Sequence, residues 1–102
     1  MKKNKAHTVT VQKDLEDLIP VFMSNRRKEV ETLRSALASA DFEQLRQLGH
    51  RMRGVGNSYG FQQISELGKQ VEDAAIAGDR TGIAASIAEY SDYIASVRIS
   101  YE

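Results

Sequence analysis

The chain of 102 residues has no cysteine, no tryptophan, a single proline and no net charge. Without cysteine it has no disulfides and no thiolate metal ligands, a composition that fits a reducing, cytoplasmic location. Its 14 basic and 14 acidic residues balance, so no overall positive field would hold nucleic acid or an anionic membrane. No apolar run follows the lysine-rich start, so neither a signal peptide nor a membrane span is predicted. Any binding surface must therefore be local.

Length and composition predict one all-α domain. A chain of this size buries enough surface to fold without disulfide bonds. Alanine, leucine, glutamate, glutamine and arginine are frequent, and no alternating β-branched run occurs, which indicates helix nearly throughout. Residues 1–8, which include His7, are predicted to form a flexible tail, and residues 9–102 the folded domain.

Apolar residues at spacings of three and four predict one short helix and four long ones. The short helix begins at Thr10 and ends where Pro20 interrupts it. The first long helix continues from Pro20 to about Ala38, and the last begins after Asp79 and extends to Tyr101.

The second and third long helices lie on either side of a break at residues 57–60. Asp41 followed by Gln44 is typical of a helix start, and Gly60 and Gly78 are suited to end the second and third helices. Because the connections are short, neighbouring helices must run antiparallel. The prediction is an up-down-up-down four-helix bundle with the short N-terminal helix packed on one end.

Four of the seven glycines fall within residues 49–60. A glycine inside a helix costs about 1 kcal/mol relative to alanine, so each one needs a reason. Gly49 and Gly56 share the apolar stripe, which indicates close approach of a neighbouring helix. Gly54 falls on the solvent side of the same helix, where a missing side chain leaves room for something outside the domain.

His50 is predicted to face water, because the helical wheel places it opposite the apolar stripe. Arg46, Arg53, Gly54 and Asn57 are its neighbours on that face, at spacings of three, four and seven residues. Guanidiniums beside an exposed imidazole would attract phosphate oxygens. A histidine in this setting is often simply solvated. The glycine four residues later on the same face, Gly54, is what favours a functional role. No metal site is predicted, because no other histidine or cysteine is near and the arginines would repel a cation.

The run of residues 50–54, His-Arg-Met-Arg-Gly, followed by Gly60 and Phe61, resembles the signature of histidine-phosphotransfer (HPt) domains of two-component phosphorelays. The resemblance covers about residues 11–98, nearly the whole chain. It implies a four-helix bundle whose second long helix carries an exposed, phosphorylated histidine.

Carried over to this sequence, the resemblance implies that His50 is the phosphoacceptor, that Arg53 stabilises the phosphoryl group and that Gly54 lets a receiver domain approach. Arginine stands at position 53 where lysine is commoner in the family, so the phosphoryl group would meet a planar fork instead of a mobile point charge. From helix geometry we add Arg46 as a second phosphate contact and Asn57 as a docking contact.

The resemblance further implies that His50 takes phosphate from a receiver-domain aspartyl phosphate and passes it to another receiver. The expected partners are the receivers of a hybrid histidine kinase and of a downstream regulator, with no nucleic acid and no membrane. The sequence has no Gly-rich phosphate loop and no nucleotide signature, so a phosphocarrier without kinase activity or cofactor is predicted. The alternative is a helical adaptor that binds receivers without accepting phosphate.

Overall fold

A computed structural model of the chain describes residues 7–102. The flexible tail predicted at the start of the chain lies largely in residues 1–6, outside the described residues. Two short strands and a 3-10 helix accompany four α-helices: β1 (Thr8–Val11), the 3-10 helix (Lys13–Leu18), α1 (Ile19–Ala38), α2 (Phe42–Tyr59), α3 (Gln62–Ala77), α4 (Arg80–Ser96) and β2 (Arg98–Tyr101).

The ends of the long helices follow from local chemistry. The Asp41 carboxylate accepts a hydrogen bond from the Gln44 N–H at 3.1 Å, and the Asp79 carboxylate one from the Gly82 N–H at 3.0 Å, which caps α2 and α4. Gly60 and Gly78 end α2 and α3 with φ of 82° and 66°, a left-handed conformation that glycine adopts without strain. These predicted helix ends are confirmed.

The four helices enclose one apolar core, and the predicted all-α four-helix bundle is confirmed. Helix α2 packs most closely on α3, and α1 and α4 complete the bundle. Among the described residues, no helix is both long enough and apolar enough to cross a membrane. Several large side chains of the core have no exposed surface: Leu33, Leu45, Met52, Phe61, Ile64, Leu67, Val71, Ile83 and Tyr90.

The predicted short first helix is wrong in part. The structure begins with strand β1, and only residues 13–18 turn, as a 3-10 helix. Thr8, assigned to the flexible tail, lies in β1, and the carbonyl of His7 accepts a hydrogen bond from the Arg98 N–H at 2.8 Å. The His7 ring packs edge-on against Tyr93, with their centroids 5.0 Å apart. Residues 7 and 8 therefore contact the rest of the domain, although the sequence placed them in the tail.

The last helix is also shorter than predicted, since α4 ends at Ser96 and β2 follows. Strand β2 pairs in parallel with β1, from Thr8 opposite Arg98 to Val11 opposite Tyr101. The helical spacing of apolar residues continues through this segment. Its backbone N–H and C=O groups nevertheless form their hydrogen bonds with strand β1 instead of within a helix. Such a contact across about ninety residues leaves no signal in local periodicity.

Candidate functional site

His50 lies in the middle of α2 and points into solvent, as predicted, with 71% of its side chain exposed. The opposite side of α2 is buried, since Leu45, Leu48 and Met52 are at most 5% exposed. Their spacings of three and four residues turn that side of the helix toward the core, and this orientation presents the imidazole outward.

Glu72 of α3, which the sequence interpretation missed, joins His50 to Arg53. One carboxylate oxygen, Oε2, lies 3.3 Å from His50 Nδ1, and the other, Oε1, accepts a hydrogen bond from Arg53 Nη1 at 2.6 Å. The Glu72 side chain is only 11% exposed, whereas those of His50 and Arg53 are 71% and 44% exposed. A nearly buried carboxylate therefore supports two exposed nitrogen-bearing side chains from below.

The charges around Glu72 fix its protonation state. The hydrogen bond from Arg53, aided by the charge of Arg53 and by the contact with His50, lowers the pKa of Glu72, and partial burial only partly opposes this shift. An ionised carboxylate has no proton to donate, so His50 Nδ1 must donate its hydrogen to Glu72. A neutral imidazole with its hydrogen on Nδ1 has its lone pair on Nε2, the ring nitrogen that has no partner within the described residues.

Arg46 has a partner other than His50 in this structure. Its Nε and Nη2 donate to the two carboxylate oxygens of Glu43, at 3.1 and 2.7 Å. This pair raises the pKa of Arg46 and lowers that of Glu43. The structure thus brings His50 and Arg53 together through Glu72, and Arg46 remains one turn away in an exposed ion pair on the same helix.

Gly54 and Asn57 continue the exposed face of α2 beyond His50. Apart from its own stretch of helix, a Cβ atom at position 54 would have no atom within 4 Å, so packing inside the domain does not require glycine there. Asn57 Oδ1 lies 3.1 Å from Ser65 Oγ, and the Ser65 hydroxyl donates to the carbonyl of Arg53 at 2.7 Å. Asn57 therefore lies against α3, whereas Gly54 leaves the surface beside His50 open.

The two glycines on the buried side of α2 lie against α3, so the predicted close approach of a neighbouring helix is confirmed. A Cβ atom at position 49 would fall 2.6 Å from the Glu72 nitrogen, and one at position 56 would fall 2.5 Å from Ser65 Oγ. Two helix backbones reach this separation only where side chains are missing. The His50 helix is thus held unusually close to the helix that supplies Glu72.

No group of three or more histidine, aspartate or glutamate side chains within residues 7–102 is arranged to hold a metal ion. What the site offers is a nucleophilic ring nitrogen in solvent, an acidic partner behind it and guanidinium groups on the same face. Those groups suit covalent attachment of an electrophile such as phosphorus, followed by its release.

A sequence signal for Glu72 did exist. Glu72 lies four residues after Gly68 and three before Ala75, both on the apolar stripe of α3, so helix geometry places this acidic residue at the margin of the buried side. A charged residue in such a position is rarely buried without a partner. The partner could not be identified, because the pairing of α2 with α3 at this level depends on the register between the helices.

Fold and site together define a helical bundle that carries an exposed histidine, His50, midway along its second long helix. The family model of the Hpt domain matches residues 17–99, most of the chain. The chain belongs to the Hpt domain family, whose members are phosphocarrier modules that work with receiver domains in the histidine phosphotransfer of two-component phosphorelays. No curated protein and no solved structure matches the chain.

Proposed function

We propose that this domain accepts a phosphoryl group on Nε2 of His50 from the aspartyl phosphate of one receiver domain and passes it to a second receiver. The observation that carries the proposal is the contact between Glu72 and His50 Nδ1 at 3.3 Å on an otherwise exposed ring. This contact leaves the Nε2 lone pair directed away from the domain. The proposed partners are the receiver of a hybrid histidine kinase and that of a downstream regulator.

In the proposed step, the Nε2 lone pair forms a bond to phosphorus while the bond between phosphorus and the aspartyl oxygen breaks. The receiver aspartate leaves as a carboxylate, and the imidazole becomes a phosphorylated ring that keeps its hydrogen on Nδ1. Positive charge develops on this ring during the step. Glu72 stabilises that charge, in the way that a buried carboxylate supports the histidine of a catalytic triad. The reverse reaction loads the second receiver.

Arg53 is the proposed contact for the phosphoryl oxygens. Only one of its five N–H donors is used by Glu72, and the side chain is 44% exposed, so further donors are free to turn toward Nε2. Arg46 is a second candidate that must first exchange Glu43 for phosphate. Because that ion pair is exposed to solvent, breaking it costs little.

Gly54 and Asn57 are the proposed docking contacts on the same face. The open surface at Gly54 supports this role, because its missing side chain serves no contact within the domain. Loading of the histidine is assigned to the receiver partner and not to ATP, because the chain carries no nucleotide signature. We also propose a cytoplasmic location, with which the absence of cysteine is consistent.

The decisive experiment is incubation of the domain with a phosphorylated receiver domain and Mg²⁺. Wild type is expected to gain phosphate that is labile to acid and stable to base, as a phosphohistidine is. His50→Gln is expected to gain none while keeping its helical circular dichroism, because the side chain is exposed and bears no packing. His7→Gln is the matched control and is expected to accept phosphate like wild type.

The alternative, an adaptor that binds receivers without taking phosphate, predicts a different result. Wild type would then bind several receivers and remain unlabelled, and His50→Gln would bind them equally well. Labelling of His50→Gln at the wild-type level would reject His50 as the acceptor.

A further inference from the structure

The contact between α2 and α3 beneath the histidine is made by two glycines, one from each helix. A Cβ atom at Gly49 would lie 2.6 Å from the Glu72 nitrogen and 2.7 Å from the Gly68 oxygen. A Cβ atom at Gly68 would lie 2.6 Å from the Gly49 oxygen and 2.8 Å from the Arg53 nitrogen. Separations this short do not occur between real Cβ atoms and backbone, so an alanine at either position must push the helices apart.

The same backbone atoms belong to the residues of the site. Gly49 immediately precedes His50 in α2, and its close neighbour on α3 is the backbone of Glu72 itself. The Arg53 nitrogen is in turn close to Gly68. The two glycines therefore set the separation between the backbone that carries Glu72 and the backbone that carries His50 and Arg53.

The separation between the two helix backbones can change only a little before Glu72 loses one of its two contacts. One carboxylate must contact two side chains at once, Arg53 at 2.6 Å and His50 at 3.3 Å. The contact with His50 is already near the upper limit for a hydrogen bond. When the helices separate by even a few tenths of an ångström, the carboxylate follows the shorter, charge-assisted bond to Arg53 and loses His50.

We propose that Gly49 and Gly68 are positioning residues: their backbone contact holds Glu72 within reach of His50 and thereby keeps the imidazole hydrogen on Nδ1. This inference rests on the proposed function for its consequence, since the Nε2 lone pair is the phosphate acceptor. The arrangement of the imidazole hydrogen is itself measurable without any phosphate. Gly49 and Gly68 thus affect the reaction through Glu72 and touch no reacting atom.

A glycine that serves packing alone makes a different prediction, and Gly56 supplies the comparison. A Cβ atom at Gly56 would also clash with α3, at 2.5 Å from Ser65 Oγ and 2.6 Å from the Ser65 nitrogen. Gly56 lies six residues after His50, about 9 Å along the helix axis. Alanine at position 56 therefore disturbs the same helix pair with a similar clash, but away from Glu72.

The test compares Gly68→Ala with Gly56→Ala. Two readouts are taken: the ¹⁵N chemical shifts of the two His50 ring nitrogens, and the rate of phosphate uptake from phosphoramidate, a small donor that needs no docking. Gly68→Ala is expected to move the ring hydrogen off Nδ1 and to slow uptake about tenfold or more, because small misplacements of reacting groups are costly. Gly56→Ala is expected to keep the wild-type shifts and uptake rate per folded molecule.

Thermal unfolding of both variants corrects for stability. Equal ¹⁵N shifts in Gly68→Ala and wild type would overturn the proposal, as would equal loss of the Nδ1 hydrogen in both alanine variants. If Gly68→Ala does not fold, Glu72→Asp replaces it, because this change withdraws the carboxylate by one methylene and leaves both glycines in place. Retention of the hydrogen on Nδ1 in Glu72→Asp would also overturn the proposal.

The two proposals fail in different ways. If wild type takes phosphate from no donor, the proposed function is rejected, but the ¹⁵N shifts still decide whether the glycine contact sets the tautomer. If wild type takes phosphate on His50 while the shifts of Gly68→Ala are unchanged, only the positioning role is rejected.

Discussion

Two of the helix pairs in the bundle, α2 with α3 and α1 with α4, are held together by opposite means. Between α2 and α3 the contact is made by missing side chains, with Gly49, Gly56 and Gly68 bringing the backbones together. Between α1 and α4 it is made by large ones: Tyr90 of α4 is fully buried, and its hydroxyl donates to Glu29 of α1 at 2.6 Å.

The α1–α4 contact also encloses charge. Glu29 pairs with Arg26 at 3.1 Å, their side chains are 8% and 12% exposed, and the Arg26 guanidinium lies 4.9 Å above the ring of Phe22. Burial, followed by the charge of Glu29, raises the pKa of Tyr90 well above its usual range, so its hydroxyl stays a donor. Side-chain volume and the hydrogen bond from Tyr90 to Glu29 stabilise this pair, whereas the α2–α3 pair fixes the distance between two backbones. The helix pair whose backbone distance is most tightly fixed is thus the one that carries His50.

The largest effect on function, after loss of His50 itself, is expected from Glu72→Gln. Glutamine lacks the negative charge that stabilises the imidazole ring as positive charge develops on it. Its amide can also direct an N–H toward His50 Nδ1 instead of accepting a hydrogen bond from it. A hydrogen bond to a charged group contributes about 1.5–3 kcal/mol, so phosphate uptake from phosphoramidate should fall about 10- to 100-fold. Asp73→Asn is the control, since Asp73 only pairs with Lys69 at the exposed surface.

The same substitution has a signature in pH. Because Arg53 lowers the pKa of Glu72 below its ordinary value of 4.5, ionised Glu72 stabilises the folded state above that value, and the stabilisation is lost as pH falls through the lowered pKa. Urea unfolding should therefore show wild type more stable than Glu72→Gln near neutral pH, with the gap closing below pH 4.5. A difference in unfolding free energy that stays constant as the pH falls would contradict the ion pair between Glu72 and Arg53.

The α1–α4 pair can be tested with two tyrosines on one helix. Tyr90→Phe removes the donor to Glu29 and leaves a buried carboxylate with one partner fewer, so unfolding free energy should fall by about 1–3 kcal/mol. Tyr93→Phe removes a buried hydroxyl that has no hydrogen-bond partner among the described residues, and burial raises the pKa of Tyr93 to about 12. We expect this change to be neutral or stabilising, because it removes an unpaired polar atom.

Urea denaturation of the two variants gives the comparison directly, and phosphate uptake per folded molecule should be the same in both. Equal destabilisation by Tyr90→Phe and Tyr93→Phe would mean that the Glu29 contact contributes nothing beyond ring packing. A specific loss of phosphate uptake in Tyr90→Phe would contradict the division of roles between the two helix pairs.

The same division explains what the sequence could predict. Local signals sufficed for the four long helices, the caps at Asp41 and Asp79 and the exposed position of His50, because each depends on neighbours within one or two helical turns. Glu72 and the pairing of β1 with β2 depend on contacts between distant segments. For Arg46, helix geometry gave the correct face, but Glu43, at an equally favourable spacing of three residues, is its partner.

A small effect on stability is expected at Gly54, on the exposed side of the closely packed α2–α3 pair. Gly54→Ala adds a side chain that meets nothing within the domain, so helix propensity should raise the unfolding free energy by up to about 1 kcal/mol. If the open surface at Gly54 serves receiver docking, the same variant transfers phosphate from a receiver more slowly than wild type, and Gly54→Leu more slowly still. Urea denaturation and transfer time courses measure the two effects. A Gly54→Leu variant that transfers as fast as wild type would show that the receiver does not approach over this glycine, and docking would then have to be sought on another side of His50.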